Sequence, residues 1–198
     1  MAVDPMAKLD FPRALRHIVR QDPDIIMVGE IRDPETAEIA ARAAITGHLV
    51  LSTLHTNDAA GVFPRLVDMK VEPFIVADAL NGVIAQRLVR RLCPLCKQIG
   101  VIGTKMAQLL KLPDDMSAHI PVGCNQCGMT GYKGRFALYE YISVDDEMRL
   151  EMGQCNYDLS TVNMIMRKRR KSILENGIAN IALGNTTAEE VIRVVFRE

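Results

Sequence analysis

Short bulky runs and alanine-rich stretches alternate along the first half of the chain. At Ile25–Val28 the apolar residues are continuous, bounded by Asp22-Pro23-Asp24 before and Gly29 after. A run of that length between turn residues predicts a buried strand over residues 25–29. Asp33 is a good N-cap, Pro34 suits the first helical position, Glu35 favours the positive end of the helix dipole, and Gly47 can close the far end. A helix over residues 34–46 follows. Residues 48–53 (His-Leu-Val-Leu-Ser-Thr) have strand composition, and residues 58–69 predict helical turns. Strand, helix, strand, helix is the order of a right-handed crossover unit with a parallel sheet.

Residues 83–92 fit a strand better than a helix, and residues 136–142 alternate like a half-buried strand. Three helices are expected to close the chain, over residues 145–152, 159–176 with Gly177 as the stop, and 187–196. The opening residues 1–7 carry a second Met and no periodicity, and read as a cloning scar.

Composition narrows the class. The chain has 198 residues and 48% hydrophobic residues, enough for a proper core without disulfide staples. Lys and Arg number 24 against 24 Asp and Glu, so the formal net charge is zero and any polyanion must be met by a local patch. No apolar run approaches the roughly 18 residues needed to span a bilayer, and no secretory leader is recognisable. The expected setting is cytoplasmic.

The five cysteines change the picture further. Cys93-Pro-Leu-Cys96 and Cys124-Asn-Gln-Cys127 are two Cys-x-x-Cys pairs, and in a reducing compartment they match a structural four-thiolate zinc site. A redox dithiol needs only one pair. With every position filled by thiolate such a metal holds structure and has no open coordination site. Cys155 reads as a buried small hydrophobe.

Glu30 follows the first strand, at the carboxyl end where open α/β sheets bind ligands. A carboxylate there can orient a water or hold a metal ion against a phosphate; the bland alternative is that Glu30 and Asp33 only begin and cap the helix. His48 and His55 lie roughly 20 Å apart on an extended strand, too far to share one metal ion. His55, with Thr56 and Asn57, comes to the same crevice as Glu30 if the strands are parallel, whereas His48 fits a buried, hydrogen-bonded role. The basic run Arg167-Lys-Arg-Arg-Lys171 falls in a helical pattern and reads as a solvated face. With no Trp, four Tyr and five Phe, the features of a nucleic-acid binder are thin.

Together these motifs resemble one family. Residues 20–33 (Arg-Gln-Asp-Pro-Asp-Ile-Ile-Met-Val-Gly-Glu-Ile-Arg-Asp) look like the Walker B segment of the secretion ATPases, the family of general secretion pathway protein E and the type IV pilus assembly ATPases. Residues 46–57 resemble that family's His box. Residues 82–90 lead into the first cysteine pair and residues 123–135 close the second, as in members with a tetracysteine zinc element. Retraction-type relatives generally lack those cysteines, so the resemblance favours secretion or pilus assembly.

The resemblance implies an α/β fold: part of a RecA-like nucleotide-binding core over residues 8–92, a tetracysteine zinc module over 93–134, and a C-terminal strand and helices over 135–198. It implies an ATPase that uses ATP and Mg²⁺, works as a homo-hexamer, and associates peripherally with inner-membrane secretion or pilus platform proteins, without nucleic acid. Glu30 matches the Walker B glutamate, and His55 and His48 the His-box histidines. Arg32, Arg42 and Thr56 are candidate nucleotide or subunit-interface contacts, and Cys93, Cys96, Cys124 and Cys127 the zinc ligands. The phosphate-binding loop Gly-x-x-x-x-Gly-Lys-Ser/Thr does not occur; Gly100-Val-Ile-Gly103-Thr-Lys105 is too short and has no strand-to-helix pattern around it. The chain is therefore expected to be a C-terminal piece of such an ATPase that binds ATP weakly or not at all and does not turn it over. The alternative is a zinc-ribbon module that binds nucleic acid or a protein partner without catalysis.

Overall fold

The computed structural model describes residues 10–113 and 116–196; the expected scar at residues 1–7 lies outside them. In chain order the elements are α1 (Phe11–Val19), β1 (Ile25–Val28), α2 (Pro34–Ile45), β2 (Leu49–Ser52), α3 (Val62–Asp68), α4 (Pro73–Ala79) and β3 (Gly82–Leu92). They continue with β4 (Gln98–Val101), α5 (Thr104–Leu110), β5 (Ser117–Ile120), β6 (Tyr132–Ser143), α6 (Asp146–Gln154), α7 (Leu159–Lys168), α8 (Ile173–Ala182) and α9 (Ala188–Val195). The chain divides into two compact units, residues 1–83 with 142–170, and residues 84–141 with 171–198.

In the first unit β1 and β2 pair in parallel, Ile25 opposite Leu49 through Val28 opposite Ser52. Helix α2 starts as its sequence dictates: Asp33 accepts the Thr36 N–H at 2.8 Å, Pro34 takes the first position, and Thr46 with Gly47 at φ +104° ends it. The apolar run of β1 is not buried on both faces as expected. Ile26 and Val28 are buried, while Ile25 is 61% and Met27 82% exposed. Successive strand side chains point to opposite faces, so a continuous apolar run cannot tell one covered face from two. Helices α6 and α7 add buried Met148, Met152, Val162 and Met166 to this unit.

The second unit is built on β3 paired with β6 and on the antiparallel pair β4 and β5. Its core gathers Val89, Leu110, Leu138, Ile181 and Val191, all but closed to solvent. Two expectations fail here. Residues 98–110 do form a strand followed by a helix, although the turn between them holds a single glycine, Gly103, and no lysine-bearing loop. The expected helix over residues 159–176 is two helices, because Ser172 starts a new one: its hydroxyl accepts the Glu175 N–H and Glu175 accepts the Ser172 N–H. Gly177 then lies inside α8, where a Cβ would stand 2.6 Å from Val191 Cγ1. It is a packing glycine and not a stop.

Candidate functional site

Because β1 and β2 are parallel, the segments leaving their carboxyl ends are brought side by side. Two bonds join them: Thr53 Oγ1 donates to the Gly29 carbonyl at 2.7 Å, and the Ile31 N–H donates to the Thr53 carbonyl at 3.0 Å. This places Glu30 between two basic groups, with Oε2 at 2.6 Å from Arg32 Nε and 3.5 Å from His55 Nε2. The Glu30 side chain is 36% exposed and that of His55 84%. A carboxylate oriented by a guanidinium and an imidazole, with one side open to solvent, can accept a hydrogen bond or a proton from a water in that opening.

Past His55 the loop is pinned. Asp58 Oδ1 accepts the Gly61 N–H at 2.9 Å, Thr56 Oγ1 donates to the Asp58 carbonyl at 2.9 Å, and Asp58 Oδ2 faces Arg167 at 2.5 Å and Arg170 at 3.8 Å. A cleft of about 370 Å³ opens here, lined in part by His55, Thr56, Asn57, Arg65 and Arg167. The other predicted residues have partners of their own. His48 Nδ1 lies 3.0 Å from the Ala43 carbonyl at the opposite end of β2 from His55, and Arg42 bonds Glu38 along α2. The structure thus brings Glu30, Arg32 and His55 together, and leaves His48 and Arg42 on local contacts.

The basic run is only partly the solvated face expected of it: Arg167, Lys168 and Lys171 are exposed, while Arg169 and Arg170 are half-buried. Arg167 and Arg170 turn to Asp58, and Arg169 reaches Asp145, Glu147 and Glu151 at 2.9–3.3 Å, which holds its own pKa above the ordinary guanidinium value. No local signal in the sequence points to this, because Asp58 is remote from the run along the chain.

The four paired cysteines converge in the second unit. Their Sγ atoms lie within 4.8 Å of one another, with Cys93 to Cys124 at 3.9 Å and Cys127 at 3.8 Å from both Cys96 and Cys124. A tetrahedron of thiolates around an ion at bond lengths of about 2.3 Å has edges of about 3.8 Å, so the donor set fits a tetrahedral metal ion. Backbone amides point at the sulfurs: Gly123 N–H to Cys96 at 3.4 Å, Cys124 N–H to Cys127 at 3.2 Å and Gly131 N–H to Cys127 at 3.3 Å. Burial opposes charge on Cys127, but the Cys124 and Gly131 amides together with hydrogen bonds from the Cys124 and Cys96 thiols outweigh it and lower its pKa; on Cys96 burial prevails over the Gly123 amide and raises it. Cys155 stands apart from the four and is only half-buried, its thiol 3.1 Å from the Met152 carbonyl.

A mixed α/β fold of the kind found in RecA-like ATPases, with four converging cysteines that could hold a metal ion, is the class that this fold and these sites define. Among solved structures, the pilus retraction motor PilT with bound ADP matches with a TM-score of 0.64 and 27% identity, over 93% of this chain and 43% of that one. The sequence matches the type II/IV secretion system protein family over residues 1–193, and the chain belongs to that family. It is 46% identical to the type II secretion system protein E of Dickeya dadantii over 196 residues, 99% of this chain. It is 48% identical to the type IV pilus assembly ATPase PilB of Thermus thermophilus over 194 residues, 96% of this chain. The chain spans 39% of the Dickeya protein's length and 22% of the Thermus protein's. No helix among the described residues is long and apolar enough to cross a membrane.

Proposed function

We propose that the chain is part of a motor ATPase that works as a homo-hexamer and couples ATP hydrolysis to protein export or pilus extension, docked on inner-membrane platform proteins at the cytoplasmic face. The observation that carries this reading is the Glu30 carboxylate at the end of β1, held at 2.6 Å by Arg32 and at 3.5 Å by His55. With ATP and Mg²⁺ bound, the metal would supply charge neutralisation on the phosphates. Glu30 would orient the attacking water, His55 would hold the carboxylate and sense the phosphate, and Arg32 and Thr56 would offer further polar contacts in the crevice. Residues 8–92 would be the ATPase part, residues 93–134 a zinc module with Cys93, Cys96, Cys124 and Cys127 as ligands, and residues 135–198 its C-terminal support.

The sequence holds no Gly-x-x-x-x-Gly-Lys-Ser/Thr stretch to cradle phosphates. On its own the chain is therefore expected to release no phosphate from ATP above background. Joined to a segment that carries such a loop, it should turn ATP over, and Glu30→Gln should lower that rate by about 10²-fold or more. An unchanged rate would remove Glu30 from the mechanism. The engagement of Arg167, Arg169 and Arg170 with carboxylates lowers the free positive charge of the basic run and so counts against the nucleic-acid-binding alternative, which would rest on Arg87, Arg90, Arg91 and Lys97 as well.

A further inference from the structure

We infer that the turn between α8 and α9, residues 183–187, is the outer support of the four-cysteine site, so that metal binding and the docking of these two helices stabilise one another. This rests on the reading that the four thiols hold zinc.

The first cysteine knuckle is flanked by Leu92 and Lys97, and both flanks end on the same turn. The Leu92 N–H donates to the Asn185 carbonyl at 2.9 Å, and Lys97 Nζ donates to the Gly184 carbonyl at 2.7 Å. Further out on β3, Thr186 Oγ1 donates to the Arg90 carbonyl at 2.8 Å. The second knuckle is tied less directly: the Cys93 N–H donates to the Gly131 carbonyl at 2.9 Å, and the next residue, Tyr132, places its hydroxyl 3.0 Å from Thr187 Oγ1. From β5, the His119 ring lies so close to Gly184 that a Cβ there would stand 2.3 Å from Nδ1. At φ +66° Gly184 also occupies backbone space that favours glycine.

None of these bonds touches a sulfur. Their common effect is to fix the spacing between the stretch that carries Cys93 and Cys96 and the stretch that leaves the second pair. Chelation by four thiolates requires both pairs at one centre within a few tenths of an ångström, and ordering them costs conformational entropy when the metal binds. A turn that holds both stretches beforehand removes part of that cost, and groups that position metal ligands from outside commonly change affinity by about 10–100-fold. Reciprocity requires the converse: a bound ion that favours the docked knuckles favours the docked helices by the same factor.

Lys97 is the side chain to remove, because Lys97→Met keeps the aliphatic stem and deletes the ammonium donor. In the full chain, zinc affinity measured by chelator competition should fall about 10-fold in Lys97→Met and stay unchanged in Lys168→Met, whose residue lies outside this unit. Hydrogen exchange should show the amides of residues 183–187 and of α9 protected in the zinc-loaded chain and faster after chelation. Gly184→Ala should weaken zinc more than Lys97→Met, or fail to fold; Lys97→Met decides in that event. Equal zinc affinity in Lys97→Met and the parent chain, or identical exchange in α9 with and without zinc, would overturn the coupling while leaving the zinc site standing. A chain that takes up no zinc at all would overturn both.

Discussion

Arg167, in the last turn of α7, places its guanidinium 2.5 Å from Oδ2 of Asp58, three residues beyond His55. The pair ties the loop that carries His55 to a helix from the distal part of the sequence. Arg167 is half exposed, and an isolated ion pair of that kind contributes about 0–1 kcal/mol. Asp58 does more, since it also accepts the Gly61 N–H and faces Arg170.

Asp58→Ala should therefore cost about 1–2 kcal/mol of unfolding free energy, and Arg167→Ala clearly less. Urea unfolding of the two variants and of the double variant measures both costs and their coupling. Equal costs would mean that the Gly61 and Arg170 contacts add nothing.

Glu190 is 1% exposed and accepts hydrogen bonds from the Arg90 N–H and from the guanidinium groups of Arg90 and Arg193. Burial alone would raise its pKa, but the bonds from Arg193 and Arg90 lower it from 4.5 to about 2. A pKa lowered in the folded state stabilises the fold above the unfolded value, and that contribution fades as pH falls. At pH 7 Glu190→Gln should cost about 1–3 kcal/mol, discounted because both arginines are partly solvated. The gap between parent and variant should narrow from pH 4.5 downward and be largely gone near pH 2. Denaturant midpoints across that range check it; a gap that stays constant with pH would mean Glu190 is not the titrating group.

Gly177→Ala sets two effects against each other. Alanine gains about 1 kcal/mol of helix propensity, but its Cβ would meet Val191 Cγ1 at 2.6 Å. Val191 is fully buried and β-branched, so it cannot rotate away, and overpacking of this kind costs about 1–3 kcal/mol. Net destabilisation is expected. Gly177→Ala combined with Val191→Ala should be more stable than the sum of the two single changes, because the added methyl enters the space the valine leaves.

Ser172→Ala removes the hydroxyl half of the reciprocal cap with Glu175 and should cost about 1 kcal/mol. Thermal unfolding measures it. Ser172→Thr keeps a hydroxyl at the cap and should lose much less.

Cys124→Ser should abolish stoichiometric metal uptake and Cys155→Ser should leave it intact, because among the described residues Cys93, Cys96, Cys124 and Cys127 converge and Cys155 does not. Metal analysis after gel filtration distinguishes the two.

The parts of this fold that were legible in the sequence are those written in adjacent residues. Asp33-Pro34 announces α2, the apolar run announces β1, and the paired cysteines announce the meeting of four thiols. What was not legible depends on distance along the chain. Nothing near Arg167 points to Asp58, and nothing near Lys97 points to the Gly184 carbonyl. The split between α7 and α8 is a different failure: Ser172 and Glu175 carry a capping signal, but the apolar residues Val162, Met164, Ile165, Ile173 and Leu174 read as one continuous helical pattern. The exposed face of β1 was hidden for a third reason, since strand composition reports apolar side chains and not what lies against them.

The four-thiol centre also has a consequence for sequence length. A metal ion bonded to Cys93, Cys96, Cys124 and Cys127 staples both ends of the stretch that contains β4, α5 and β5. Once the ends of a loop are pinned, doubling its length costs only about 0.6 kcal/mol. Ile102, Leu110 and Ala118 of that stretch sit in the unit's core, so an insertion is tolerated in its turns and not in β4, α5 or β5, while a single backbone cleavage between the cysteine pairs should leave both pieces held to the same ion.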